Sequence, residues 1–287
     1  MSIGKLNFKK PKTEFMKLSI IITHHKTPEI LVACLDAILK IVGSLDYEII
    51  VSGGEVDYQK SAELNIKYQG VIFIDHKKNV GFSALVNGGI EKSSGEFVFV
   101  VNADIIFGDK SDILAMMDYL DKNNDVGIIG PRLFNLDGSI QQTYFREYSL
   151  LTILAKRTFL KRMDFSKKLL DEFMYKDKLV SVIFEPDWIL GAAFMMKREN
   201  LNKIGGKLDK RYFMYFEDTD LCRTFKKSGL KVVYFPFAEF VHHHARASDR
   251  GRGIFDIVFN PLTRIHIASY LKFIWKWHVG GDENNRM

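Results

Sequence analysis

The feature that most constrains the fold is an apolar run that ends in polar residues, Gly95-Glu96-Phe97-Val98-Phe99-Val100-Val101-Asn102-Ala103-Asp104. Residues 97–101 are typical of a strand buried on both faces, as in a parallel sheet covered by helices. In open α/β sheets, ligands bind beyond the carboxyl ends of the strands. Asp104 is therefore placed to hold a divalent cation, which in turn can bind a diphosphate. The alternative is that Asp104 is only a turn residue.

Strands and helices alternate along the first half of the chain. Apolar runs at 18–22, 47–51 and 71–74 predict three more strands, and segments with helical spacing lie between them. This alternation predicts an α/β fold with right-handed βαβ units and a mostly parallel sheet. Two later strands are predicted at 126–129 and 232–235, each ending before a proline.

The chain shows no glycine-rich phosphate loop at the first strand. That strand runs into Thr23-His24-His25, and neither a Gly-x-Gly-x-x-Gly nor a Gly-x-x-x-x-Gly-Lys pattern is present. A diphosphate would then have to be held through a metal ion, which strengthens the hypothesis that Asp104 binds a cation.

Charge and cysteine content limit the binding partners and the cellular compartment that we expect for this chain. The net charge of +6 suits anionic partners such as nucleotides and phospholipid headgroups. Two cysteines without a Cys-x-x-Cys pair argue against a thiolate zinc site and favour a reducing compartment. With no signal peptide and no apolar run of roughly 20 residues, we expect a cytoplasmic protein, either free or peripheral on the inner face of the cytoplasmic membrane.

Two segments combine cations with apolar and aromatic residues, one at 145–170 and one after Pro261. Each is either a membrane-surface helix or an ordinary helix packed on the domain. No RNA-binding signature accompanies them, so nucleic acid is not an expected partner.

A second acidic centre begins a predicted helix. Glu217, Asp218 and Asp220 follow a run of aromatic residues and methionine, and Gly229 ends the helix. The acids are either first-turn residues that complement the helix dipole or a general base whose pKa is raised by a partly desolvated pocket.

Three histidines, His242, His243 and His244, follow the strand at 232–235. In an extended chain His242 and His244 point to the same side. They are either a surface or core cluster, or ligands that complete a metal site with Asp104.

Together these segments resemble the inverting glycosyltransferases of family 2, which have the GT-A fold, and are most similar to bacterial rhamnosyltransferase-like members. The resemblance runs from about residue 18 to 248. It rests on these motifs in order: Ser19-Ile20-Ile21-Ile22-Thr23, Asn79-Val80-Gly81-Phe82, Asn87-Gly88-Gly89-Ile90, Val101-Asn102-Ala103-Asp104, Asp137-Gly138-Ser139-Ile140-Gln141, Trp188-Ile189-Leu190-Gly191-Ala192, Phe216-Glu217-Asp218-Thr219-Asp220-Leu221, and residues 242–248.

The resemblance implies a single displacement, in which a hydroxyl of a glycan or lipid-linked saccharide attacks a nucleotide-diphosphate sugar. It implies that Asp218 is the base, that Glu217 positions the acceptor, and that Mg²⁺ or Mn²⁺ is held by Asp104 with His242 or His244. The implied donor-binding residues are Thr23, His25, Glu29, Asn79, Gly81, Phe82, Asn87, Asn102 and Ala103. The implied acceptor and sugar pocket consists of Trp188, Gly191 and Ala192.

From the residues and the resemblance together we expect three parts of the chain: a basic tail at 1–16, a GT-A domain at 17–250, and an amphipathic segment at 251–287 that either associates with a membrane or packs on the domain. The GT-A domain divides into a nucleotide-sugar half at 17–130 and an acceptor half at 131–250. The oligomeric state stays open.

Two departures from the family pattern stand out. Many relatives carry Asp-Asn-x-Ser after the second strand, whereas this chain has Ser52-Gly53-Gly54-Glu55, with Glu55 or Asp57 as substitutes. The first metal carboxylate is replaced by Asn102. Both departures suit a rival hypothesis, a GT-A-like binding module without turnover. A sugar-phosphate nucleotidyltransferase is disfavoured because its glycine-rich signature is absent.

Overall fold

The structure is a computed structural model that describes residues 18–43, 45–149, 152, 164–243 and 260–279. The strands are β1 Leu18–His25, β2 Tyr47–Gly54, β3 Ile72–His76, β4 Phe97–Asn102, β5 Ile105–Ile106, β6 Val126–Phe134, β7 Tyr144–Phe145, β8 Trp188–Ile189, β9 Ala193–Lys197 and β10 Lys231–His242. The helices are α1 Pro28–Ile41, α2 Tyr58–Lys67, α3 Phe82–Lys92, α4 Ile113–Lys122, α5 Asp164–Phe173, α6 Arg198–Lys203, α7 Glu217–Lys227, α8 Pro261–Ile274 and a π-helix at Trp275–Val279.

The central sheet has eight strands in the order β3-β2-β1-β4-β9-β6-β10-β5. Strands β3, β2, β1 and β4 are parallel to one another, as the alternation of strands and helices predicts. Residues 97–101 of β4 are buried because successive side chains enter cores on opposite faces of the sheet. Helices α1 and α4 cover one face, and α3, α6 and α7 cover the other. The predicted α/β fold class is confirmed.

The second half of the sheet is mixed. Strand β9 is antiparallel to both β4 and β6, and β10 is parallel to β6. Consequently β9 brings its first residues, and the loop before them, to the end of the sheet where β4 finishes.

The predicted ends of two strands were wrong. Strand β6 continues through Pro131 to Phe134, and β10 continues through Pro236 to His242. Both prolines are tolerated because the pairing is incomplete there: β9 pairs with β6 only at Ile128 and Ile129, and the β6–β10 register shifts between Phe235 and Glu239. The extension of β10 carries His242 to the ligand-binding edge.

Helix α8 and the π-helix pack on the domain. Phe273 joins Tyr212 and Phe216 in a small aromatic cluster behind the start of α7. Of the two alternatives for the segment after Pro261, a helix packed on the domain therefore describes the face that contains Phe273. Within the described residues, no helix is long and apolar enough to cross a bilayer. Residues 1–17, 153–163 and 280–287, which include parts of the predicted tails and of the basic segment, lie outside the described residues.

Candidate active site

The carboxyl ends of β1 and β4 are tied to each other at the edge of the sheet. The Ala103 N–H donates to the Thr23 carbonyl oxygen at 2.9 Å, and the Thr23 hydroxyl donates to Asn102 Oδ1 at 2.9 Å. The Asn102 side-chain oxygen therefore already has a partner within the protein. These bonds fix the backbone from which Asp104 projects.

Asp104 lies against the end of β10. The short strand β5 pairs antiparallel with Val241 and His242, and the His243 N–H donates to the Asp104 carbonyl oxygen at 2.8 Å. This pairing puts His242 Nε2 at 3.4 Å from Asp104 Oδ1. The structure thus brings Asp104 and His242 together, as one of the two alternatives from the sequence requires, while His244 lies outside the described residues.

Gln141 orients the His242 ring. His242 Nδ1 lies 3.0 Å from Gln141 Oε1. Because that amide oxygen can only accept a hydrogen bond, Nδ1 carries the proton, and in the neutral ring the lone pair is on Nε2, which faces Asp104. A histidine held in this way through its other ring nitrogen is the usual arrangement for a metal ligand.

The donor set at this edge fits a magnesium-type or manganese-type cation shared with a substrate. Asp104 Oδ1 is buried without a hydrogen-bond partner, although the side chain as a whole is 29% exposed. Among the described residues, no three His, Cys, Asp or Glu side chains form a metal-binding group. Mg²⁺ is commonly bound by one or two carboxylates with water and substrate phosphates completing the shell, so two protein ligands are sufficient for such a site.

The second acidic centre sits on a strained turn. Tyr215 and Phe216, which immediately precede α7, have φ angles of +70° and +67°. Two consecutive bulky residues in the left-handed region cost conformational energy, and such residues concentrate at functional sites. Glu217 and Asp218 are the first two residues of α7 and directly follow this turn.

Asp218 has defined hydrogen-bond donors. The Gly191 N–H donates to Oδ2 at 3.1 Å, and the Thr219 N–H donates to Oδ1 at 2.7 Å. Burial raises the pKa of Asp218, whereas the hydrogen bonds from Thr219 and Gly191 act in the opposite direction because they stabilise the carboxylate. The result is a carboxylate poised to accept a proton.

Glu217 is in a different state. It is buried, and its Oε2 has no hydrogen-bond partner. Burial raises the pKa of Glu217 well above its ordinary value, and the neighbouring Asp218 carboxylate raises it further. The two backbone N–H donors stabilise the ionised form of Asp218, whereas Glu217 Oε2 has none, so the hydrogen bonds favour the proton on Glu217.

Two successive residues of the β8–β9 connection join the acidic centres. Gly191 donates its N–H to Asp218, and Ala192 accepts at its carbonyl oxygen from the Asn102 N–H at 2.9 Å. A Cβ on Gly191 would lie 3.3 Å from Asp218 Cβ and 3.5 Å from Phe82 Cε1, so only glycine fits there without displacement. Asp218 and the Asn102–Asp104 loop are thus held at a fixed spacing along the same edge.

Comparisons with known proteins agree with this geometry. Residues 19–205 match the family model described as glycosyl transferase family 2. The chain belongs to this family. The matched stretch contains the Asp104 edge and ends before α7.

Several curated relatives resemble this glycosyltransferase over most of its length. An N-acetylglucosaminyl-diphospho-decaprenol L-rhamnosyltransferase of Mycobacterium tuberculosis is 27% identical over 82% of this chain and 80% of its own. The rhamnosyltransferase WbbL of Escherichia coli is 23% identical over 79% of each chain. A low-salt glycan biosynthesis hexosyltransferase, Agl10 of Haloferax volcanii, is 24% identical over 82% of this chain and 70% of its own. The predicted resemblance to rhamnosyltransferase-like members is confirmed.

A solved structure shares the fold. The crystal structure of GalNAc-T7 with UDP, GalNAc and Mn²⁺ matches with a TM-score of 0.59 and 13% identity, over 80% of this chain and 43% of that chain. The chain therefore spans less than half the length of that protein. The GT-A fold is confirmed by this likeness.

In this glycosyltransferase the loop before α3 supports the strained turn. Gly81 has φ +83°, and a Cβ there would meet the Phe213 carbonyl oxygen at 2.2 Å. The Phe82 N–H donates to that oxygen at 2.8 Å, and the Gly81 N–H donates to Asn79 Oδ1 at 3.0 Å. Asn79, Gly81 and Phe82, which the sequence predicts to bind the nucleotide-sugar donor, are thus connected to the segment that precedes Asp218.

A cavity of about 180 Å³ opens beside the ends of β1 and β2. Its lining comes from four elements and includes His24, Lys26, Pro28, Leu31, Glu55, Val56, Asp57, Lys60, Ser61, Leu64 and Phe73. His25 lies next to it, with Nε2 3.3 Å from Glu55 Oε2. Glu29 instead lies on the surface of α1, where its carboxylate pairs with Lys60 at 3.1 Å.

The Ser52-Gly53-Gly54-Glu55 departure has a physical explanation in this cavity. A Cβ on Gly53 would lie 2.3 Å from His24 Nε2, so the glycine makes room for that ring. Burial lowers the pKa of His24, which favours a neutral imidazole, and its Nδ1 is buried without a partner. Asp57 caps α2 by accepting from the Gln59 N–H at 3.0 Å, which leaves Glu55 as the carboxylate that faces His25 and Lys26.

Two predicted site residues lie in the core instead. Asn87 is buried, and both ends of its amide bond to the backbone of Leu208, each at 2.8 Å. Trp188 is buried, donates its indole N–H to the Arg146 carbonyl oxygen at 2.8 Å and stacks on Phe145. Because these polar groups are satisfied internally, Asn87 joins α3 to the loop at Leu208, and Trp188 fixes β8 to Phe145 and Arg146.

Sequence reasoning missed the roles of His24, Gln141 and Thr219. Gln141 closes the Asp137-to-Gln141 motif, but nothing in the sequence shows that it faces His242. The signal for Thr219 was its place directly after the acidic pair, where its N–H is one of the free donors at a helix start.

Proposed function

We propose that this chain moves a sugar, as a hexosyl or deoxyhexosyl group, from a nucleotide-diphosphate sugar to a hydroxyl of a glycan or lipid-linked saccharide, with inversion at the anomeric carbon. The observation that carries the proposal is the Gly191–Ala192 link, which holds Asp218 beside the Asn102–Asp104 loop. A base and a diphosphate-binding edge at fixed spacing are what a single displacement needs.

In this mechanism Asp218 accepts the proton of the acceptor hydroxyl as the oxygen attacks the anomeric carbon, and the bond to the nucleotide diphosphate breaks on the opposite side. General-base catalysis of this kind contributes about 10²–10⁴-fold. Glu217, which keeps its proton, donates a hydrogen bond that positions the acceptor. Attack from the side opposite the leaving group produces inversion.

The leaving diphosphate belongs at the Asp104 edge. Asp104 and His242 would hold Mg²⁺ or Mn²⁺, which offsets the negative charge that develops on the leaving group. His242 is kept in the right tautomer for this task by Gln141. The loop that carries Asp104 is kept in place by Thr23.

The nucleotide base belongs in the cavity beside β1 and β2. The unpartnered His24 Nδ1 and the Glu55 carboxylate supply hydrogen-bonding groups there, in place of the acidic residue that many relatives carry after the second strand. The names of the relatives, which include two rhamnosyltransferases and one decaprenol-linked acceptor, support a deoxyhexose donor and a lipid-linked acceptor in the synthesis of a surface polysaccharide.

A panel of nucleotide-diphosphate sugars, each with and without Mn²⁺, tests the proposal by thermal shift and then by analysis of the product anomer. We expect at least one donor to stabilise the protein more strongly with Mn²⁺, and the product to have the opposite anomeric configuration. Binding without transfer to any saccharide acceptor would favour the binding-module alternative, which the bonded Asn102 oxygen also suits. A retained configuration would contradict the mechanism.

A further inference from the structure

The outward face of α8 and the π-helix carries an apolar stripe, which consists of Leu271, Trp275 and Val279. Their exposed fractions are 60%, 50% and 72%. They follow one another at intervals of four residues, and the Trp275 N–H donates to the Leu271 carbonyl oxygen, so they lie along one side of the helix. Single exposed apolar residues are normal on a protein surface, but a row on one helix face is not.

The opposite face of the same segment is already occupied. Phe273 packs in the aromatic cluster with Phe216, and the Trp277 indole N–H donates to Asp220 Oδ1 at 2.7 Å. The segment therefore has one apolar side that faces the domain and a second that faces solvent. The stripe is not needed to attach the helix to the domain.

Charge around the stripe is positive. Residues 260–279 contain no Asp or Glu, and Arg264, Lys272 and His278 are exposed on this segment. The Arg211 guanidinium, which is paired with Asp209 at 2.8 Å, lies 5.9 Å from the centre of the Trp275 ring. Tryptophan with cations around an apolar helix face is the combination that binds at the boundary between headgroups and acyl chains.

We propose that the Leu271–Trp275–Val279 stripe docks on an anionic lipid bilayer. Its apolar side chains enter the acyl boundary, while the exposed Arg264 and Lys272 contact the anionic headgroups. Docking in this way orients the helix parallel to the bilayer plane. It also holds α7, which is bonded to the other face of the segment, close to the lipid surface.

A second copy of the chain is a poorer occupant of the stripe. A symmetric contact would place the cations of one copy against those of the other. Three side chains also cover much less than the roughly 1,000 Å² that a stable protein interface buries. Anionic lipid satisfies both the charge and the small apolar area.

Co-sedimentation of the full chain with vesicles tests the proposal without any enzymatic readout. We expect the protein to sediment with vesicles that contain phosphatidylglycerol, not with pure phosphatidylcholine, and to be released at high salt because the charge attraction is screened. The triple variant Leu271→Ser, Trp275→Ser, Val279→Ser should lose at least ten-fold in vesicle binding. The double variant Ile66→Ser, Leu114→Ser, whose side chains are 63% and 57% exposed on α2 and α4, should bind as the unmodified chain does.

Two further measurements make the test decisive. Circular dichroism and melting of the triple variant should stay close to those of the unmodified chain, because Phe273 and Trp277 still hold the segment on the domain although the Arg211–Trp275 contact is lost. Failure of the unmodified chain to bind anionic vesicles, or equal binding by the triple variant, would overturn the proposal. A change from dimer to monomer in the triple variant during analytical ultracentrifugation would also overturn it, by assigning the stripe to contact between copies.

Discussion

The two acidic centres at the edge of the sheet are built in opposite ways. Asp104 is partly exposed, has an oxygen without a hydrogen-bond partner and faces the lone pair of His242. Asp218 accepts two backbone hydrogen bonds and lies beside the buried Glu217 on a strained turn. Among the described residues, no lysine or arginine forms an ion pair with Asp104, whereas the second centre contains Glu217, whose pKa is raised by burial. The difference teaches that one centre is suited to bind a cation and the other to move a proton.

The largest effect should come from removing the base. Asp218→Asn keeps the shape of the side chain but cannot take a proton, so we expect kcat to fall by about 10²–10⁴-fold. Donor binding, measured by calorimetry, should change less than three-fold. Unchanged turnover would rule out Asp218 as the base and remove the distinction between the centres.

The second effect concerns the ion pair between Asp220 and Lys276, which attaches the helix that carries Asp218 to the π-helix. Asp220 is buried and accepts from Lys276 Nζ at 2.7 Å and from Trp277 Nε1 at 2.7 Å. Lys276→Met leaves that carboxylate without its cation, so the free energy of unfolding should fall by about 3–5 kcal/mol, the range for broken buried ion pairs. Urea unfolding measures this value.

The double variant Lys276→Met, Asp220→Asn is the matched control for that experiment. Since the asparagine carries no charge, part of the lost stability should return. Equal losses in the single and double variants would show that the ion pair does not support α7.

A smaller effect should follow from disturbing the link between the centres. In Gly191→Ala the added methyl group would lie 3.3 Å from Asp218 Cβ, and the carboxylate must shift by a few tenths of an ångström. We expect a fall in kcat of about ten-fold, because catalysis is sensitive to small misplacements, with no change in the affinity for the donor. A matching change at Gly138, where a Cβ would meet nothing within 4 Å, controls for general effects of the substitution. Equal kinetics for the two variants would contradict the role of the link.

The smallest effect is a dependence of stability on pH. Because burial raises the pKa of Glu217, the folded state retains a proton that the unfolded chain releases above about pH 4.3. The free energy of unfolding therefore falls as pH rises from there up to the folded-state pKa. Glu217→Gln removes this loss, so its melting temperature should exceed that of the unmodified chain by a few degrees at pH 8 and match it at pH 4.

The exposed Glu63→Gln variant is the control, and its melting temperature should follow the unmodified chain at both pH values. A Glu217→Gln variant that melts no higher than the unmodified chain at pH 8 would show that Glu217 is ionised in the folded state. The two acids of the second centre would then no longer have distinct roles.

The sequence was sufficient to predict the end of β4 at the edge of the sheet, because the end of a strand follows from the local pattern of apolar and polar residues. The apolar run before Asn102 predicted β4, and the polar residues after it predicted the position of Asp104. The contact between Asp104 and His242 was one of two alternatives that the sequence left open, and it depends on β10 continuing past Pro236. That continuation could not be predicted, since a proline normally ends a strand unless the pairing is incomplete around it.

The second centre was harder to derive because its geometry depends on contacts between distant segments. The left-handed turn at Tyr215 and Phe216 contains no glycine or asparagine to announce it. Likewise, the residues around Asn87 do not reveal whether its amide faces a ligand or, as the structure shows, the backbone of Leu208. Tertiary packing decides these cases, and a pattern in one segment does not contain that information.

The division of roles between the centres is tested most directly by calorimetric titration of a nucleoside diphosphate, with and without Mn²⁺, into the unmodified chain, Asp104→Asn and Asp218→Asn. Asp109→Asn, an exposed residue nearby, serves as the control. We predict that Mn²⁺ strengthens binding to the unmodified chain, to Asp109→Asn and to Asp218→Asn, and that this gain is lost only in Asp104→Asn. A gain that persists in Asp104→Asn, or that is lost equally in Asp218→Asn, would contradict the assignment of the cation to Asp104 and of the proton to Asp218.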